Sequence, residues 1–113
     1  MIARAEVETL ALALPQATQV VIFRGRTDVY KVGGKAFGVC DDSGLTFKAT
    51  EIAYAVLTQD GPGRPAKGFP PGRWVTMPLS EIEAEETADW LATAHRIAAG
   101  ALTRKARAEL GLA

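Results

Sequence analysis

Asp28-Val-Tyr-Lys-Val-Gly-Gly-Lys-Ala-Phe-Gly-Val-Cys-Asp-Asp-Ser-Gly-Leu-Thr-Phe-Lys48 reads as two β-hairpins sharing a strand. Gly33-Gly34 separates two β-prone runs, and a two-residue type I′ turn needs φ > 0 at both central positions, which glycine adopts without steric cost. That turn pairs Val32 with Lys35, Tyr30 with Phe37 and Asp28 with Val39. Asp42-Ser43-Gly44 suits a three-residue turn ending in a left-handed glycine, which pairs Asp41 with Leu45 and Val39 with Phe47. With both turns so read, Tyr30, Val32, Phe37, Val39, Leu45 and Phe47 share one face. Val29, Lys31, Ala36, Gly38, Cys40, Thr46 and Lys48 take the other. A four-residue second turn would send Leu45 and Phe47 away from Phe37, because a one-residue slip reverses every side chain.

Outward from this block, Val7, Leu10, Ala11 and Leu14 recur at helical spacing and Pro15 ends the run, predicting a helix over 2–14. Gln19–Arg24 is β-branched and aromatic, hence a strand. Thr50 is an N-cap for a helix over 51–58, expected to bury Ile52, Ala55 and Val56. Residues 59–72, QDGPGRPAKGFPPG, form a loop, and Arg73–Met77 a strand closed by Pro78. Ser80-Glu81-Ile82-Glu83 matches a capping box for a helix running to about Ala99, with Thr87, Leu91, Ala94 and Ala98 as its buried stripe and Trp90 and Ile97 beside it. Gly100 breaks this helix, and 101–110 resumes as a helical tail. The order α-β(3-4)-α-β(1-2)-α predicts an α+β two-layer sandwich: an antiparallel sheet with helices packed on one face.

The chain has 113 residues, which fits a single domain over 1–113. At 48% hydrophobic and 23% charged it has the composition of an ordinary soluble globular protein. One cysteine precludes an internal disulfide, and no basic-then-apolar leader or membrane-length apolar run is present, so a reducing cytoplasm is expected. Thirteen basic residues balance thirteen acidic ones, so attraction to a polyanion has to come from local clustering.

The candidate chemistry is sparse. Gly33-Gly34-Lys35 lacks the spacing and the following helix of a phosphate loop. His95, the only histidine, has no nucleophile or orienting carboxylate beside it in sequence and reads as packed structure. Cys40 falls on the open sheet face, with nothing placing it near His95. Asp41 and Asp42 read as turn residues that accept backbone amides. No catalytic set, metal-ligand set or cofactor motif emerges, so an enzyme is not expected. The last helix has acids at its start and bases at its end, as the helix macrodipole favours. Basic residues exceed acidic ones between 24 and 73. Within that span Lys31, Lys48, Arg64, Lys67, Arg73 and Trp74 are the candidates for nucleic-acid contact, combining cations for phosphate with an aromatic for stacking.

Leu12-Ala-Leu-Pro15, Tyr30-Lys-Val-Gly-Gly-Lys-Ala-Phe37, Leu45-Thr-Phe-Lys48, Arg73-Trp-Val-Thr76 and the helix around His95-Arg96-Ile97 together resemble the MmcQ/YjbR-like family of small bacterial proteins. The resemblance spans nearly the whole chain, and its specific part is the hairpin block. It implies a CyaY-like or secretion-chaperone-like sandwich and, since members are often labelled DNA-binding, a non-catalytic module for DNA or another nucleic acid. The chain departs from that pattern between Val20 and Thr27, where relatives carry an aromatic and His-Pro cluster, and at His95, where an aromatic is usual. The alternative expectation is a protein-interaction or chaperone-like module, dimeric through its sheet or last helix.

Overall fold

The computed structural model describes residues 1–112. The elements run α1 (Arg4–Leu12), β1 (Ala17–Ile22), β2 (Thr27–Val32), β3 (Lys35–Cys40), β4 (Gly44–Lys48), α2 (Glu51–Gln59), β5 (Arg64–Pro65), β6 (Trp74–Pro78), a 3-10 turn (Leu79–Glu81), α3 (Ala84–Gly100) and α4 (Arg104–Glu109). The strands form one antiparallel sheet in the order β1-β2-β3-β4-β6-β5. Helices α1, α2 and α3 pack on one of its faces, giving the expected two-layer α+β sandwich.

The double hairpin forms, but in a different register. Val32 pairs with Lys35 as the glycine turn requires, and Lys31 pairs with Ala36; a bulge at Phe37 then sets Tyr30 opposite Gly38 and Asp28 opposite Cys40. A bulge adds one residue to one strand and reverses the alternation beyond it. The second turn is the four-residue one, pairing Cys40 with Leu45 and Gly38 with Phe47. The two departures compensate. Tyr30, Val32, Phe37, Leu45 and Phe47 all reach the core as expected. Between bulge and turn the faces exchange: Cys40 is fully buried, whereas Val39 lies on the uncovered side. Gly38 also comes to the core face, where a Cβ would sit 3.4 Å from Leu91 of α3.

Helix α1 buries Val7 and Ala11, and Leu10 and Leu14 pack at the margin. Helix α3 buries Thr87, Leu91, Ala94, His95 and Ala98. Its start is displaced from the expected capping box. Ser80 falls in the 3-10 turn, and the cap forms at Glu83, whose N–H donates to the Glu86 carboxylate. Thr50 caps α2 by accepting from the Ala53 N–H. The expected buried stripe of α2 is overturned: Ile52 and Val56 are 79% and 60% exposed, Ala55 is exposed as well, and Ala53, Tyr54 and Leu57 face the core instead. The helix is apolar on nearly every side, so periodicity could not choose. The Ala49 N–H bond to the Arg73 carbonyl fixes its entry, and the Leu57 carbonyl is taken by the Gly63 N–H at its far end.

Candidate nucleic-acid interface

Alternation on each strand assigns the side chains of the uncovered face. One row crosses the sheet without interruption: Val20, Val29, Val39, Thr46, Thr76 and Arg64 are successive cross-strand partners. The Thr46 and Thr76 hydroxyls are hydrogen-bonded at 2.8 Å. Along the strands, Lys31 lies two residues beyond Val29, and Lys48 two beyond Thr46, paired with Trp74. Two strand spacings separate Lys31 from Lys48, about 10 Å. The described strand residues of this face include no Asp or Glu. Glu81 stands at its far rim, beside a shallow depression lined by Ser43, Gly44, Pro62, Arg64, Thr76 and Pro78.

Four of the six expected contact residues, Lys31, Lys48, Arg64 and Trp74, therefore share one face. Arg73 does not join them. One position before Trp74, it falls on the helix side, and its guanidinium pairs with Glu51 in the first turn of α2 at 3.2 Å. Lys67 is exposed on the loop after β5. Trp74 is only 8% exposed. Its ring packs against Phe69 at 4.6 Å between centroids, and the Lys48 ammonium lies 6.0 Å from the ring centre. That cation–π contact holds Lys48 toward the loop. Phe69, half-buried, is the more exposed ring of this pair.

The loop 59–72 is held at several points. The Gly63 N–H donates to Leu57, the Ala66 N–H to Trp74, and Arg64–Pro65 pairs with β6. A Cβ at Gly63 would lie 2.7 Å from the Leu57 carbonyl and 2.9 Å from the Met77 sulfur, so only glycine lets the loop pass this close.

Sequence reasoning missed the β-branched row because Val39 was placed in the core. The expected strand Gln19–Arg24 also runs too far: β1 ends at Ile22, and Phe23 and Arg24 lie in the β1–β2 turn at φ +52° and +56°, with Phe23 71% exposed. No turn glycine precedes Gly25, so sequence carried no signal for that conformation.

The titratable groups elsewhere are structural. His95 is buried; its Nε2–H donates to the Pro15 carbonyl at 2.7 Å, and its ring meets Phe37 edge-on at 5.4 Å. A carbonyl only accepts, so this fixes the protonated nitrogen. Burial pushes the Cys40 thiol up to about 12, far from the low values of reactive thiols. Asp41 accepts from the Ser43 N–H, the Ser43 hydroxyl and the Gly44 N–H, as a turn aspartate does. Arg4 donates to both oxygens of Asp28, at 2.8 and 3.1 Å, to Asp42 and to the Gly25 carbonyl. The fully buried Tyr30 hydroxyl has no hydrogen-bond partner, and burial, aided by Asp28, pushes its pKa up. Among the described residues no three His, Cys, Asp or Glu converge on a metal site, and no helix is long and apolar enough to cross a membrane.

A family model described as YjbR matches residues 12–97. The crystal structure of the Deinococcus radiodurans protein DR2400, with its domain DUF419, superposes with a TM-score of 0.87 over 100% of this chain and 91% of that one, at 23% identity, a likeness of fold. No curated protein matches the sequence.

Proposed function

The chain belongs to the YjbR family, and from that premise and the charges on its uncovered sheet face we propose a non-catalytic module that binds nucleic acid weakly and without sequence preference. The observation that carries this reading is the placement of Lys31, Lys48 and Arg64 on strands of one uncovered face whose strand residues include no carboxylate. The lysines supply phosphate contacts, the Val20–Thr76 row supplies a flat β-branched floor, and Phe69 supplies a ring beside Lys48. With zero formal net charge, attraction is local and short-ranged, so binding is salt-sensitive. We place the work of the module in the cytoplasm, a setting compatible with its single, unpaired cysteine.

The test is fluorescence anisotropy with labelled single- and double-stranded DNA over a salt series. Three phosphate contacts give a slope of log affinity against log salt of about −2 to −3. Replacing Lys31 and Lys48 by alanine flattens the slope by about two units. Arg73→Ala leaves it unchanged, because Arg73 faces α2. A folded protein that binds neither form of DNA at low salt discards the reading.

A further inference from the structure

The two edges of the sheet are built differently. Edge strand β5 has two residues, one of them Pro65, which has no N–H to offer. Edge strand β1 has six residues, Ala17-Thr-Gln-Val-Val-Ile22, with no charge and no proline. Soluble proteins usually blunt such an edge with lysine, proline or a bulge. Val20 and Val21 on it are 43% and 53% exposed.

The hairpin turn settles which backbone groups are free. Val32 and Lys35 close the glycine turn and exchange hydrogen bonds, so Lys31 directs its N–H and C=O toward β1. Opposite it, Thr18, and in step Val20 and Ile22, use theirs on β2. Gln19 and Val21 therefore direct theirs outward.

We propose that a second copy of this chain closes this edge: two β1 strands pair antiparallel about a two-fold axis at Val20 and join the sheets. An axis there sets Gln19 opposite Val21 of the other copy, twice, so every outward N–H and C=O of these two residues is satisfied. Moving the axis to Gln19 draws in the Ala17 N–H, which is already bonded to the Leu14 carbonyl. Moving it to Val21 draws in the Phe23 carbonyl, which already accepts from Arg26. The register at Val20 is thus self-complementary, as a two-fold interface requires. Val20 then meets Val20, and Thr18 meets Ile22, in β-branched cross-strand pairs on the uncovered face. No like charges oppose each other at the axis. An edge pair of this length falls short of the roughly 1,200–2,000 Å² of a permanent interface, so the dimer is reversible and concentration-dependent.

Sedimentation velocity from about 5 µM to about 1 mM, read with amide exchange over the same range, tests this. The sedimentation coefficient rises with concentration, and the Gln19 and Val21 amides become protected as it does. The Thr18 and Val20 amides are protected throughout. Val20→Lys sets two lysines facing each other at the axis, their Cα atoms about 4.5 Å apart, and weakens the dimer at least about tenfold. Ile52→Lys, on the other exposed apolar patch, leaves it intact. A monomer at every concentration overturns the proposal. So does a dimer lost with Ile52→Lys and kept with Val20→Lys, or amides at 19 and 21 whose exchange ignores concentration. If Val20→Lys fails to fold, amide exchange on the unaltered chain decides. DNA binding by Lys31 and Lys48 is read separately, so either reading can fail alone.

Discussion

Arg4 ties three segments together: it bonds Asp28 on β2, Asp42 in the β3–β4 turn and the Gly25 carbonyl in the β1–β2 turn. Its hydrogen bonds hold the Asp28 carboxyl below the usual carboxylate range, outweighing burial, which pushes it up. A carboxylate depressed in this way contributes stability above its unfolded-state pKa of about 3.9 and loses it as pH falls through the lower folded value. Arg4→Ala leaves a buried carboxylate without its partner. The variant is therefore destabilised most at neutral pH, and its deficit against the unaltered protein shrinks as pH falls through the acid range, because the unpartnered, buried Asp28 of the variant takes up its proton before that of the unaltered protein. Urea denaturation across pH checks this. A deficit that does not vary with pH would assign the role of Arg4 to its bond with Gly25 and to packing.

Among the elements, the first hairpin turn bears two constraints at once. Gly33 and Gly34 both have positive φ, +57° and +81°. Only Gly33 also lies under the C-terminal segment: a Cβ there would sit 2.6 Å from Leu102 and 3.1 Å from Leu110. Gly34→Ala meets no neighbour and costs about 1–2 kcal/mol for the left-handed backbone. Gly33→Ala costs that and also displaces Leu102, so it is the more destabilising of the two and speeds amide exchange in α4. Equal melting temperatures for the two variants would show that the tail does not rest on the turn. The expected glycine turn was legible because φ > 0 at two successive residues has few solutions. The bulge three residues later was not, because an extra residue at Phe37 leaves the hydrophobic pattern of each half-strand intact and reverses only their relation.

For the whole molecule, the two layers give neighbouring residues opposite fates. Val39 faces the uncovered side and Cys40 the core. Val39→Lys is expected to fold and, by adding a cation beside Lys31 and Lys48, to steepen the DNA salt slope by about one unit. Cys40→Lys sets an unpaired charge in the core and prevents folding. Circular dichroism and the anisotropy series check both. Tolerance reversed between the two positions would restore the bulge-free register.

The sequence alone determined the element order, the helices on one face, the core stripes of α1 and α3 and the residues Tyr30, Phe37, Leu45 and Phe47 as core. Each follows from a local period or a glycine with no alternative conformation. It also placed Lys31 and Lys48 on one side of the sheet, since cations on alternate strand positions read directly as one face; Arg64, expected in the loop 59–72, joins them only through β5. What only the tertiary structure decided were choices between locally equal options. Cys40 rather than Val39 is buried because the bulge and the longer turn act together. Ala53, Tyr54 and Leu57 rather than Ile52 and Val56 face inward because bonds at both ends orient α2. Arg73 is separated from the other cations because it stands one position before Trp74 and so falls on the helix side, where Glu51, more than twenty positions earlier in the chain, pairs with it. For α2, nearby residues permit either side, and partners distant in sequence select one.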